Sequence, residues 1–228
     1  MRWKNPFLAC VVAFGCLGFA AGARAQSSIA FAIPSQTGNQ NGFGGPFNLG
    51  LDFTVNPGQS IFVTRVGAFD SGADGVFLSQ IDVAIFNVAT GLIVGGTQTS
   101  FTTAAPGDLV GGARFKTLEV PVLLGEGTYS IVAFGYGDIF SEREVNGNGQ
   151  VGPINVTFDS GGGVISKDGT FRANVAAGLQ LPPAGGTTAD PVFAAGTFEF
   201  ALIPEPASWA LFALGGVALW AFRRGNRG

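Results

Sequence analysis

The sequence predicts an all-β fold of β-sandwich or jelly-roll type, and three observations carry that expectation. Apolar and polar residues alternate in short runs, the period of a half-buried strand. Glycine-rich breakers separate the runs at hairpin spacing. The composition, with 37 glycines, 22 phenylalanines, 12% charged residues and no histidine, suits a turn-rich, apolar β-protein better than a charge-laced helical one. With 228 residues and two specialised ends, there is room for one domain of ordinary size.

The first element is a leader, residues 1–25. Arg2 and Lys4 form a basic start, Phe7 to Ala21 is an apolar run, and Ala23-Arg24-Ala25 supplies the small-x-small pattern read by signal peptidase. Cleavage after Ala25 makes Gln26 the first mature residue and predicts export. The apolar run is short for a permanent span. Cys10 and Cys16 both lie inside the leader, so the mature chain is expected to have no disulfide and no thiol chemistry.

Residues 26–203 are the predicted β-domain. In "NLGLDFTV", Leu49, Leu51, Phe53 and Val55 share one face. "SIFVTRVGAF", "QIDVAIFNV", "RFKTLEVPVLL", "GTYSIVAFGY" and "GTFEFALI" continue the theme. Turns are expected at Asn56-Pro57-Gly58, Asp70 to Gly75, Ala89-Thr90-Gly91, Gly125-Glu126-Gly127 and Gly161-Gly162-Gly163. Gly137 to Pro153 and Leu181 to Pro191 read as long loops, the usual place for function. Within the first, "NGNGQ" (Asn146 to Gln150) reads as a turn. Six basic and fourteen acidic side chains give this domain a net charge of −8, which argues against nucleic acid and anionic membrane surfaces as partners.

Chemistry is sparse. Without histidine or mature cysteine, Ser-His-Asp and Cys-His nucleophiles and zinc sites built on imidazole or thiolate are excluded. There is no GxSxG elbow and no GxxxxGK loop. Carboxylate glycosidase chemistry needs two acids facing each other across a cleft; Asp138, Glu142, Glu144 and Glu119 are the available acids. The sharpest local motif is "FDSGADG". Asp70 and Asp74 are candidate calcium ligands, since calcium takes oxygen donors and glycine permits a sharp turn. The competing reading has both aspartates bonding their own backbone. All three tryptophans, Trp3, Trp209 and Trp220, sit in the terminal segments, which weakens a stacking-type sugar site in the domain.

The last element, residues 204–228, begins with Pro204-Glu205-Pro206. Sixteen uncharged residues, Ala207 to Phe222, follow, and then Arg223 and Arg224. As a helix the run measures about 24 Å, enough to span with local thinning. Trp209 and Trp220 stand near its ends, as in an aromatic belt.

This tail resembles the PEP-CTERM sorting signal of bacteria with a double membrane. Pro204, Glu205, Pro206, the apolar run, Arg223, Arg224 and Arg227 match the family pattern in order, with Gly225 and Asn226 interrupting the basic end. The resemblance implies recognition by an exosortase, a membrane-embedded transpeptidase-like enzyme thought to cut near the motif, and an exopolysaccharide or biofilm setting. The domain in front is similar to a β-rich region that recurs before such tails, through "LGLDFTV", "VTRVGAFDSGADG", "VAIFN", "TGLIV" and "GTYSIVAFGYG". That likeness implies fold and context alone.

The expectation is therefore an exported, non-enzymatic surface or matrix protein. It is tethered first to the inner membrane by its tail and then processed by an exosortase, with extracellular polysaccharide as a possible contact and no cofactor. A calcium-dependent carbohydrate-binding module through Asp70 and Asp74 is the alternative, and a carboxylate glycoside hydrolase is a third.

Overall fold

A computed structural model describes residues 27–38, 44–137, 143–148, 156–187 and 193–203. The leader with Ala23, Ala25 and Gln26, and the tail with Pro204, Glu205, Pro206, Arg223 and Arg224, lie outside the described residues, as do Asp138 and Glu142. The strands are β1 (Ser27–Ile29), β2 (Phe31–Ala32), β3 (Phe47–Val55), β4 (Ile61–Phe69), β5 (Ile81–Asn87), β6 (Leu92–Ile93), β7 (Thr99–Phe101), β8 (Asp108–Val110), β9 (Ala113–Leu124), β10 (Gly127–Tyr136), β11 (Gly147–Asn148), β12 (Thr157–Phe158), β13 (Ile165–Ser166), β14 (Thr170–Val175), β15 (Ala184–Thr187), β16 (Phe193–Ala194) and β17 (Gly196–Leu202). The only helical turn among the described residues is a 3-10 turn, Ser71–Ala73.

The fold is all-β and sandwich-like. One sheet runs β1-β17-β4-β9-β8; the other runs β15-β14-β3-β10-β5-β6, with β7 and β13 beside it. The alternation in "NLGLDFTV" and "GTFEFALI" turns Leu49, Leu51 and Phe53 from one sheet and Phe198 and Phe200 from the other into one shared core. Phe53 and Phe198 meet across it with ring centroids 4.5 Å apart. Fully burying one such ring contributes about 1.5–3 kcal/mol, which explains how a body with no cysteine beyond the leader holds together.

Strict alternation fails at two places. In β4 the ladder with β17 shifts between Glu199 and Phe200. One extra residue there resets the pleat, so that both Val63 and Val66 are buried. In β10 the register with β3 shifts between Phe134 and Tyr136. Gly135 lies between them with φ 114°, and a side chain there would sit 2.2 Å from the Gln80 carbonyl oxygen. Only glycine fits, and the shift delivers Tyr136 to the buried end of the strand.

Two predicted loops contain strand instead. Gly147 and Asn148, expected within a turn, pair with Ala194 and Phe193. Ala184 to Thr187, expected within a loop, forms β15 on β14. The partner of β11 is distant in sequence and that of β15 is the strand just before it; in each case the ladder outweighs the turn preference of glycine and asparagine.

Candidate functional site

The strongest polar constellation gathers where β4 leaves the core. Phe69 is buried and the chain turns at once through Asp70 to Gly75. Asp70 is fully buried. Its Oδ2 accepts hydrogen bonds from the Gly75 N–H at 2.9 Å and from Arg114 Nε, on β9, at 2.7 Å. Arg114 Nη2 also donates to the Ala73 carbonyl at 3.2 Å. One guanidinium thus ties the start of the turn to its middle. Asp74 is exposed, and its Oδ1 accepts from the Val76 N–H at 2.8 Å. The two aspartates hold the backbone of their own turn, as short polar side chains do beside glycine.

Glu144 closes the cluster from the far side. It is 2% exposed, its Oε1 accepts from the Ser71 N–H at 3.1 Å and its Oε2 from the Leu78 N–H at 3.2 Å. Its own N–H donates to Ser79 Oγ at 3.1 Å, and that hydroxyl donates to the Gly135 carbonyl at 2.9 Å. One side chain therefore clasps the turn at two points and ties it to the bulge of β10. Beneath it, the Tyr136 hydroxyl donates to the Phe69 carbonyl at 2.8 Å.

The electrostatics follow from burial. Desolvation pushes the Glu144 carboxyl up to about 7; the Leu78 and Ser71 N–H groups pull the other way, and the negative charges of Asp70 and Asp74 add to the rise. Burial, then the charges of Glu144 and Asp70, drive the Tyr136 phenol well above its usual range. Among the described residues, Asp70 Oδ1 accepts no hydrogen bond, and no group of three or more His, Cys, Asp or Glu is arranged to hold a metal ion. Chemically this is a fastened turn. Every other carboxylate oxygen of Asp70 and Glu144 is engaged by a donor.

A second polar network lies on the outer face of the larger sheet. Asp52, in β3, receives both Nε and Nη2 of Arg172, from β14, at 2.7 and 2.8 Å. Arg172 Nη1 then donates to the Pro182 carbonyl at 3.0 Å. Asn48 bonds Gly178 and Gln180. These anchors strap residues 176–183 over the sheet, with Leu179 and Leu181 packed on Ala84, Phe86 and Val132. The face that a sugar-binding sandwich would offer is partly covered by the chain itself.

An open groove of about 480 Å³ runs between Gly95 to Thr99 and the middle of β9. It exists because β9 leaves β4 there: the ladder jumps from Val122–Val63 to Thr117–Arg65. Residues 118–121 bulge outward around Pro121, a residue unable to donate to a ladder, and Val120 is left 67% exposed. Glu119, a candidate acid from the sequence, lines this groove, far along the chain from Glu144 and in no bond with it.

The turn at Asp70 to Gly75 was thus visible in the sequence, but its fasteners were not. Arg114 had no motif to mark it. Glu144 stood out only as an acid in a long loop, and Asp52 only as a charge in an apolar strand.

The described fold defines a class, an all-β sandwich-like body whose last strand is β17. The PEP-CTERM protein-sorting motif matches residues 202–225, starting on Leu202, the final residue of β17. The chain thus carries a PEP-CTERM protein-sorting motif, a signal that implies export to the cell envelope or surface and recognition by an exosortase. The match covers about a tenth of the sequence. No curated protein matches the chain.

Proposed function

We propose that this is a non-enzymatic component of the cell surface or extracellular matrix, made as three parts: a leader at 1–25, a β-body at 26–203 and a sorting tail at 204–228. The leader sends the chain out and is removed before Gln26. The apolar run from Ala207 to Phe222 then holds the body at the inner membrane until the exosortase acts at the Pro-Glu-Pro entrance. The body is left at the surface or in the matrix, in contact with extracellular polysaccharide.

The observation that carries this reading is the sorting motif matched at residues 202–225, behind an all-β body. The state of the acids supports the non-enzymatic part. A general acid and its partner must reach substrate, whereas Glu144 and Asp70 are buried and hold backbone N–H groups.

Mass spectrometry of the protein recovered from the surface fraction tests it. The expected species begins at Gln26 and lacks the apolar run, and so lacks all three tryptophans. Recovery solely as full-length membrane protein would overturn processing. Turnover of the producer's own polysaccharide by the purified body, lost in Glu144→Gln, would overturn the non-enzymatic part.

A further inference from the structure

β9 is paired along two stretches and bare between them. β8 covers Ala113 to Phe115 on one edge, and β4 holds Ala113 to Thr117 and Val122 to Leu124 on the other. Among the described residues neither ladder reaches Leu118 to Pro121. Leu118 anchors this stretch in the core, while Glu119, Val120 and Pro121 stand exposed. These residues line the open groove of about 480 Å³, so main-chain N–H and C=O groups outside both ladders border it, and such groups take hydrogen-bond partners wherever these are offered.

The opposite wall is rigid and has little bulk. Gly95 and Gly96 belong to a turn fastened by Thr97, which is fully buried; its hydroxyl accepts from the Ile85 N–H at 3.1 Å and donates to the Val94 carbonyl at 2.8 Å. A side chain at Gly96 would stand 3.1 Å from Val122 Cγ2, so the walls close there, whereas one at Gly95 would meet nothing within 4 Å. Lys116 crosses from β9 to donate to the Ser100 carbonyl at 2.5 Å, with its ammonium over the Phe101 ring. That tie joins the two sheets and fixes the spacing of the walls.

The lining is chemically mixed. Gln98, Thr99 and Thr117 offer amide and hydroxyl groups, Val120 and Val122 an aliphatic surface, and Glu119 a negative charge. No Lys or Arg is among the lining residues, and the body carries a net charge of −8, so an anionic polymer is repelled. A peptide that binds by adding a strand needs a regular edge. Here four residues of β9 stand opposite Thr64, with a proline among them, and such a bulge blunts an edge.

We propose that this groove binds an amine-bearing polysaccharide, a polymer of unacetylated amino sugars, an inference that rests on the polysaccharide contact proposed above. Glu119 pairs with a sugar ammonium. The threonine hydroxyls and the main-chain groups of β9 meet sugar hydroxyls, and the C–H face of a ring lies on Val120 and Val122.

Calorimetric titration of the full chain in a neutral detergent tests it, with a glucosamine hexamer, its N-acetylated counterpart, a uronate hexamer and a lysine hexapeptide as probes. The glucosamine hexamer is expected to bind most tightly, and more weakly as salt is added. Glu119→Gln should weaken it about two- to five-fold, the range of an exposed ion pair. Gly95→Tyr fills the groove from a position with room for a side chain, and should abolish binding at unchanged Tm. Glucosamine binding unaltered in both variants overturns the assignment, as does an N-acetylated or uronate hexamer bound as tightly. A lysine peptide bound as tightly overturns it in favour of a peptide partner. If none of the hexamers binds but the producer's own polysaccharide does, this proposal fails and the polysaccharide contact stands; if neither binds, the contact fails with it.

Discussion

Asp52 and Glu144 are both buried carboxylates that fasten a loop to the body, and they are compensated in different ways. Asp52 faces a guanidinium that bonds both its oxygens, and the same guanidinium reaches on to the Pro182 carbonyl. Glu144 faces two backbone N–H groups and the negative charges of Asp70 and Asp74, while Arg114 pairs with Asp70. A charge matched by a fixed charge behaves as a permanent strap. A charge matched by N–H dipoles alone is one the protein can shed by taking up a proton. The strap over the large sheet should thus be intolerant of losing its partner, and the clasp on the turn should respond to pH.

The largest effect is expected from breaking the strap. Arg172→Ala leaves Asp52 buried without its cation, and removing one partner of a buried pair typically costs about 3–5 kcal/mol. A steep fall in the urea midpoint checks it. The double variant Asp52→Asn, Arg172→Met removes both charges and should recover a large part of the loss. A double variant no better than the single one would show that the arginine's packing and its bond to Pro182, rather than charge balance, carry the strap.

Next comes the clasp. The Glu144 carboxyl lies at about 7 in the folded body against an ordinary 4.5, so the folded state binds this proton more tightly than the unfolded chain does. The stability it contributes is fully present below 4.5 and is lost as pH rises through 7, an effect of up to about 3 kcal/mol. With no histidine in the chain, no other side chain with an ordinary pKa titrates between pH 5 and 8. Chemical denaturation across that range should show stability falling toward pH 8. Glu144→Gln should flatten the profile. It should also lower the pH 5 value by about 1–3 kcal/mol, because the amide NH₂ then meets one of the two N–H donors. A profile that stays flat in the natural protein would mean that Glu144 is ionised throughout.

Asp70→Asn sharpens the same point with a smaller change. Removing the neighbouring negative charge should move the midpoint of the pH profile below 7, since that charge helps to hold the Glu144 proton. Tracking the midpoint by denaturation at half-unit pH steps checks it. A midpoint unmoved or raised would leave desolvation as the sole cause of the shift.

The contrast between strap and clasp also shows what was legible in the sequence. The core was, because alternation is local: Leu49, Leu51 and Phe53 announce their common face within five residues, and Phe198 and Phe200 within three. The turn at Asp70 to Gly75 was legible for the same reason, from its glycines. The fasteners were not. Arg172 lies 120 residues from Asp52, and Glu144 lies 73 from Ser71. Pairs at such separation are created by the strand order, which nothing local encodes. The misread turn at Gly147 and Asn148 shares this cause, since β11 exists only through β16, whereas β15 pairs with the strand just before it and was hidden by its own glycines, which read as breakers.

The smallest expected effect concerns calcium at the turn. Both bonded oxygens of the aspartates already meet N–H donors, and Arg114 places a positive charge 2.7 Å from Asp70 Oδ2. A cation entering here would meet that guanidinium, and calcium ordinarily gathers six to eight oxygen ligands. Millimolar calcium is therefore expected to leave the Tm unchanged. Asp74→Ala should lower stability by only about 0.5–1.5 kcal/mol, the net worth of one ordinary hydrogen bond, with or without the ion. A rise in Tm with calcium that disappears in Asp74→Ala would reverse this assignment. Asp70 Oδ1, which accepts no bond among the described residues, would then be the ligand to test next, and the turn would join the strap's side of the comparison, as a charge matched by a charge.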